Sequence, residues 1–521
     1  MSRIRKAAVT AVFAYGQFAV AILAGIALVP LILHYVGARS WGLWLASGEL
    51  LGYAGMADLG VLGVLPWMMA EADGRQDRHA MRRLVGHGAW VGLVVAVVYA
   101  SLSTVLWLAL PSALRFSAAD RSLVGPPFAV LVAIGTISHP FRVFRATLAG
   151  LQDASFTGAL SVGQSIASVA TTILLLTQGY GLYALALGSG APSFVTNVIA
   201  IARLRTVAPD LMRGWTRPSL KDVRVLLTNG TGVWLGGIGW QLLAATNAIV
   251  ISYIGHPEWV PVYSCTAKLG AMTTQLAWVL PDSGLVGLAQ LYGERGALSR
   301  LRHVVLMLLR LHLLLAGGAA CVLLAFNPIF VTIWVGPQFF GGLSLNALLA
   351  IGVVFSSLIH GLITTASVLG NRLQVGVVAL VNGVVQTLLA LALGSSYGLA
   401  GVAAAGLIAG AITSVPAAIV LLRPVTALTV RHLARELVGP WLVRGTSLVV
   451  VSVVVGLFYR ALGLVLTGSM ASAIAMFYVW HMRPLYVGLP LDPRWVNWLV
   501  RIRLIAPPGV APPSTAAFEQ V

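Results

Sequence analysis

Charged residues are scarce in this 521-residue sequence: Asp, Glu, Lys and Arg make up 9% of it, against about 25% in an ordinary soluble protein. That excludes a soluble globular domain, whose surface could not be kept in water with so little charge. Cysteine is nearly absent too. Cys265 and Cys321 both lie within apolar runs, so there is no disulfide framework, no Cys-x-x-Cys and no zinc spacing. Neither Gly-x-x-x-x-Gly-Lys-[Ser/Thr] nor His-Glu-x-x-His occurs, which leaves ATP-driven and zinc chemistry without local support. Long polar segments are missing as well. Before the C-terminal tail no gap between apolar runs exceeds about two dozen residues, too few for a soluble catalytic domain. The sequence implies neither an enzyme nor a cofactor.

What fills the chain instead is hydrophobic residues, 58% of it, with a mean hydropathy of +0.91. Apolar runs of about 20 residues or more recur along nearly the whole length, each able to span a bilayer as a helix. The sequence predicts an all-α integral membrane protein with about fourteen transmembrane helices. Six fall near 7–33, 41–66, 84–110, 124–150, 156–177 and 180–202, and six more near 225–254, 263–290, 304–335, 343–369, 374–395 and 400–422. A last pair falls near 441–461 and 465–482. Arg3, Arg5 and Lys6 precede a first run too long for a signal-peptide core, so it is expected to stay as the first helix.

The formal charge is +18, a balance that in a soluble domain would suggest nucleic acid. Here the basic residues fall mostly in short gaps between apolar runs, so no nucleic-acid partner is expected. Threading the helices from a cytoplasmic N-terminus puts 24 of the 33 Lys and Arg residues in inside segments. Outside loops receive only Arg39, Arg115 and Arg121. The positive-inside rule then places both termini in the cytoplasm. The tail carries Pro507, Pro508, Pro512 and Pro513 among small residues and reads as disordered.

An internal repeat divides the chain. Tyr35, Gly37 and Trp41 are matched by Tyr253, Gly255 and Trp259 at an offset of 218. Ala-Ile-Gly at Ala133 recurs at Ala350, and Tyr-Gly-Leu at Tyr180 recurs at Tyr397, both displaced by 217. Each match alone is weak; three in order at one offset are not easily chance. The expected organisation is a six-helix lobe over 1–205, its repeat over 206–425, two extra helices over 426–484 and a cytoplasmic tail over 485–521. Six helices per lobe is an even number, so the lobes are parallel, the arrangement of a transporter with a central cavity.

Val36 to Trp44 (V-G-A-R-S-W-G-L-W), followed by A-D-L-G at Ala57 to Gly60, resembles the start of Wzx-type polysaccharide flippases. These belong to the multidrug, oligosaccharidyl-lipid and polysaccharide exporter superfamily. Further matches are R-A-T-L-A-G-L-Q at Arg145 to Gln152, I-S-Y-I-G at Ile251 to Gly255 with V-Y-S-C-T-A-K-L at Val262 to Leu269, and Y-G-L-A-G-V-A-A-A at Tyr397 to Ala405. The resemblance spans about residues 1–425 and rests on glycines and aromatics, which speak to fold more than to substrate. It implies an inner-membrane flippase that moves an undecaprenyl-diphosphate-linked oligosaccharide to the periplasmic leaflet. Its implied partners are that anionic lipid-linked substrate, membrane lipid, and polysaccharide polymerase and chain-length machinery. Asn247 stands where many relatives carry an acidic residue, so a cation site does not carry over to that position.

Ionisable side chains at mid-membrane cost about 2.5–3.5 kcal/mol and mark candidate sites. Arg142 and Arg145, with His139, lie along one side of the fourth predicted helix. Guanidinium forks there suit a diphosphate, or both side chains snorkel to the headgroups. Ser264, Lys268, Gln275 and Asp282 form one polar stripe on the eighth helix, lining a cavity or bonding to another helix. Lys268 and Gln275 are candidate substrate-binding residues. Glu49, Asp58 and Asp282 are candidates for ion coupling or gating. Glu49 and Lys268 stand at similar depths in repeat-related helices, which suggests an ion pair between the lobes. Asp58 either carries a coupling proton or hydrogen-bonds a neighbouring backbone.

Competing readings share parts of this pattern. Gly74, Asp77, Arg78, Arg82 and Arg83 resemble a major-facilitator loop, but the spacer is one residue short. A multidrug exporter or a peptidoglycan-precursor flippase of the same superfamily would share the fold and the repeat. Six basic residues against three acidic ones within the predicted helices favour an anionic substrate. A membrane glycosyltransferase or ligase would need a sizeable loop, which the sequence does not have. A pure scaffold would leave the buried charges unexplained.

Overall fold

The structure is a computed structural model that describes residues 3–113, 116–292, 298–370 and 372–486. Arg115 and, from 487 on, the expected tail lie outside the described residues. Every regular element described is helical. The first half runs α1 (Arg3–Tyr35), α2 (Ala38–Ala54), α3 (Val61–Gly74), α4 (Arg78–Ala113), α5 (Ala118–Ser138), α6 (Arg142–Gly150), α7 (Ala154–Thr177) and α8 (Leu182–Val207). Then come α9 (Leu220–Ile254), α10 (Trp259–Ser283), α11 (Leu285–Tyr292), α12 (Leu298–Trp334), α13 (Leu343–Leu369), α14 (Arg372–Ile412) and α15 (Ser414–Thr426). A short α16 (Val430–His432) leads through a π-helical turn into α17 (Gly439–Leu457), and α18 (Tyr459–His481) closes the set.

Among the described residues, 11 helical segments are long and apolar enough to cross a membrane. One of them, Leu373–Thr426, is 54 residues long and holds two of the predicted helices, joined at Gly398. The two predicted crossings absent from the 11 are the broken pairs α2–α3 and α10–α11. Large apolar side chains such as Val97 on α4 and Val465 on α18 are 66% and 78% exposed, as lipid-facing positions should be. The chain is an all-α multi-pass membrane protein.

Four predicted helices turn out broken, the twelfth at Thr413 and the other three each for a local reason. The second ends at Ala54 and restarts at Val61, with Leu59 and Gly60 at φ 49° and 79° between. Asp58 accepts hydrogen bonds from the backbone N–H groups of Gly60 (3.2 Å) and Leu62 (3.3 Å), capping α3. The fourth bends through a 3₁₀ turn at His139–Phe141, where Pro140 cannot donate to the preceding turn. The eighth is interrupted at Gly284, just past Pro281, which cannot donate to the preceding turn. Capping boxes start α5, from Ser117 and Asp120, and α9, from Ser219 and Asp222.

By mutual contact the chain groups into two compact units. The first is Met1–Cys265 with Thr332–Gly341 and Asn371–Ser414; the second is Thr266–Val331, Gly342–Gly370 and Val415–Val521. This grouping follows packing rather than the repeat, since the first unit takes in α9 and most of α14. One core of the first unit joins Leu65, Met69, Met81, Val85, Val143 and Leu148, and one of the second joins Ala277, Ala316, Leu323, Ala350 and Val353.

The repeat is visible in local geometry. Gly181 and Gly398, 217 residues apart, adopt matching backbone angles of φ 52°, ψ −128° and φ 58°, ψ −140°. The two copies of the Tyr-x-Gly motif form the turns into α2 and α10, and within the first unit these turns touch. A Cβ on Gly42 would run into the Pro257 carbonyl. Arg39 reaches from its own turn to Glu258 at 3.1 Å and to Asp120 at 2.9 Å.

Gly60 combines left-handed backbone with a close approach of α9: a Cβ there would meet the Gly230 carbonyl and the Trp234 amide. Trp234 Nε1–H donates to the Met56 carbonyl at 2.9 Å and ties the same break to α9. Gly60→Ala should therefore destabilise by at least about 1–2 kcal/mol from backbone strain alone. Thermal melting in detergent should show a lowered Tm for this variant and none for Gly163→Ala, whose added methyl meets nothing within 4 Å. Equal melting of the two variants would contradict this packing.

Candidate functional site

A cavity of about 680 Å³ opens within the first unit, walled by residues between Gly48 and Asn197. Its size is in the range that takes a small ligand or head group. The break at His139–Phe141 turns α6 so that Arg142 and Arg145 both reach the lining, with His139 beside them. No carboxylate lines this cavity among the described residues.

The two arginines are held differently. Arg145 is half-buried and donates to Gln164 Oε1 and Ser161 Oγ of α7, both at 2.6 Å. Gln164 Oε1 also accepts from the Thr196 hydroxyl on α8 at 3.1 Å. Arg142 is exposed and makes no hydrogen bond or ion pair among the described residues. His139 is buried and Nδ1 faces the Gly135 carbonyl at 2.7 Å, so Nδ1 carries a proton; Nε2 has no hydrogen-bond partner among the described residues. Ser138 Oγ, also in the lining, is buried without a partner there. A fixed guanidinium, a free one and the Ser138 hydroxyl form an environment suited to an anion with several acceptor oxygens.

A second cavity in the first unit, about 700 Å³, is walled largely by apolar side chains that include Val94, Val98, Leu102 and Trp234. Asp58 and Arg217 are its charged members.

The remaining candidates lie elsewhere. Glu49 is half-buried on α2, and its backbone carbonyl accepts from Gln241 of α9 at 3.3 Å. Lys268 is half-buried and Gln275 exposed on α10, in the second unit, and neither lines the 680 Å³ cavity. Asp58 spends its carboxylate on capping α3, the second of its two expected roles. Asn247 donates to the Tyr263 hydroxyl at 3.2 Å. Asp282 turns to two histidines that periodicity alone did not connect with it, His360 at 2.9 Å and His312 at 3.7 Å. Arg310 donates to the Glu436 carbonyl at 3.2 Å, and Arg460 to the adjacent Tyr459 hydroxyl at 3.0 Å.

A long-helix membrane fold enclosing a cation-lined cavity defines a class, that of the polytopic membrane proteins with an internal cavity. Comparison with solved structures shows which architectures it is similar to. A multidrug resistance MATE family transporter of the MOP superfamily, inward-facing, aligns with TM-score 0.66 at 18% identity, covering 79% of this chain and 95% of its own. The lipid II flippase MurJ, inward closed, aligns with TM-score 0.66 at 14% identity, covering 91% and 98%. An outward-facing MATE transporter gives 0.58 at 16%, covering 81% and 96%. At these identities the likeness establishes the fold alone: the chain shares its helical architecture with these structures. No protein-family model matches the sequence, and neither does any curated protein.

The different anchoring of the two arginines gives a prediction. Arg145→Ala should destabilise by at least about 1.5 kcal/mol, through two lost charge-assisted hydrogen bonds to Gln164 and Ser161. Arg142→Ala should stay within about 0.5 kcal/mol of the parent. Urea or thermal unfolding in detergent reads both, and a larger loss at Arg142 would reverse the assignment of anchor and free cation.

Proposed function

We propose that the chain is a flippase, not an enzyme, of the bacterial inner membrane, with both termini in the cytoplasm. Its substrate is an undecaprenyl-diphosphate-linked oligosaccharide repeat unit for surface polysaccharide, moved from the cytoplasmic to the periplasmic leaflet. The observation that carries this reading is the cavity with two guanidiniums and no carboxylate in its lining. Arg145 presents a guanidinium fixed by α7, and Arg142 one free to follow the diphosphate. The six-helix repeats, 1–205 and 206–425, alternate access, and the Glu49 and Lys268 charges act in gating. Polymerase and chain-length machinery would receive the product.

The MurJ likeness supports a lipid-linked substrate as a class. A peptidoglycan precursor has the same diphosphate chemistry and is the second reading. A multidrug exporter for lipophilic cations is disfavoured, because such a ligand would meet arginines and no counter-charge in this cavity.

Deleting the gene and extracting the lipids tests the proposal. Undecaprenyl-diphosphate-linked repeat units should accumulate while surface polymer is lost. Complementation should fail with Arg142→Glu and succeed with Arg121→Ala, an exposed arginine outside the cavity lining. Accumulated peptidoglycan precursor would replace the substrate by its sibling; unchanged glycan lipids with altered sensitivity to cationic drugs would overturn the flippase reading.

A further inference from the structure

In the second unit, α10, α12 and α13 bring Asp282, His312 and His360 together, and one ligand-capable atom of each lies within 4.8 Å of the others. His312 is 1% exposed, and its Nδ1 lies 3.0 Å from the Leu308 carbonyl. A carbonyl only accepts, so Nδ1 carries the proton, and in the neutral ring Nε2 holds the lone pair. That Nε2 is buried, has no hydrogen-bond partner among the described residues, and faces Asp282 Oδ1 at 3.7 Å. A lone pair aimed at a carboxylate is repulsive unless a proton or a metal ion lies between them, and 3.7 Å is too long for a proton to bridge the two in a hydrogen bond. His360 Nε2 is 2.9 Å from Asp282 Oδ2. Its ring is fixed by parallel stacking on Trp278, with centroids 3.9 Å apart and planes at 2°, and Trp278 in turn donates to Ser357 at 3.1 Å.

We propose that Asp282, His312 and His360 bind one divalent first-row transition ion of the zinc class, with water completing the coordination. Two imidazole nitrogens and one carboxylate oxygen are the donor set such ions take when one position stays open. Ion–ligand bonds of about 2.0–2.2 Å put neighbouring donors of a tetrahedral ion about 3.3–3.5 Å apart. Measured to the one oxygen Oδ1, the separations of 3.2 Å from His360 Nε2 and 3.7 Å from His312 Nε2 bracket that value. The Nδ1–H bond to Leu308 is the outer-shell contact that orients a metal-binding histidine. Asp282 is 35% exposed in its side chain, so the open position is not sealed within the protein. The three ligands are 30 and 48 residues apart in sequence, so no local zinc motif announces them. Bound there, the ion ties three helices of the second unit at one level.

The test uses the full-length protein in detergent, stripped with a chelator, incubated with Zn²⁺ alone and passed through a desalting column before metal is counted. One zinc per chain should be retained, with a raised Tm. Asp282→Asn and His360→Ala should each weaken retention at least about tenfold, while His481→Ala, far along on α18, keeps it. Melting of the metal-free variants checks folding, and Asp282→Asn, which preserves shape, carries the test if His360→Ala fails to fold. Retention no weaker in both folded variants than in the parent, or no retention by the parent, would overturn the site.

Discussion

A charge within hydrocarbon must be hydrogen-bonded, paired or set against water, and this constraint decides where the ionised side chains of the molecule sit. Asp58 satisfies it with two backbone amides at a helix break, Arg145 with two side chains of α7, and Asp282 with the His360 imidazole. Arg39 meets Asp120 and Glu258 at the touching turns of the repeat. Arg142 is met by no hydrogen-bond or ion-pair partner among the described residues, and it lines a cavity. The candidate site is thus where the chain leaves a cation for something else to satisfy.

The helix breaks serve the same end. A continuous helix satisfies its own backbone and leaves side chains little freedom to converge. The interruption at Met56–Gly60 leaves backbone N–H groups that donate to Asp58 and a Met56 carbonyl that accepts from Trp234. The interruption at His139–Phe141 turns α6 so that its arginines line the cavity wall. Glycine allows the tight contact of the first break with α9, where Gly60 and Gly230 meet backbone to backbone.

Much of this was legible in the sequence, and what was not has physical causes. Apolar length predicted the spans, and the 217-residue offset predicted the shared backbone geometry of Gly181 and Gly398. The i, i+3 spacing of Arg142 and Arg145 held because α6 begins at Arg142, so both fall on one short helix. Of the two roles expected of Asp58, the backbone one is realised at a helix break that apolar periodicity does not announce. Asp282 stood out as a buried acid, but its histidine partners lie on two other helices, a relation that periodicity does not encode. Single imidazoles in the apolar runs at His312 and His360 were the signal available. The partners of Arg145 could have been suspected from Ser161 and Gln164, spaced i, i+3 in an apolar run.

Fold similarity at 14–18% identity leaves the substrate open, so the proposed anion reading rests on the cavity lining. The most direct test is translocation by the purified protein in lipid vesicles, using a fluorescent undecaprenyl-diphosphate oligosaccharide and following its protection from an external quencher. The account predicts transfer by the parent and its loss in folded Arg142→Glu. Equal transfer by the two would contradict a cation-held diphosphate at this cavity.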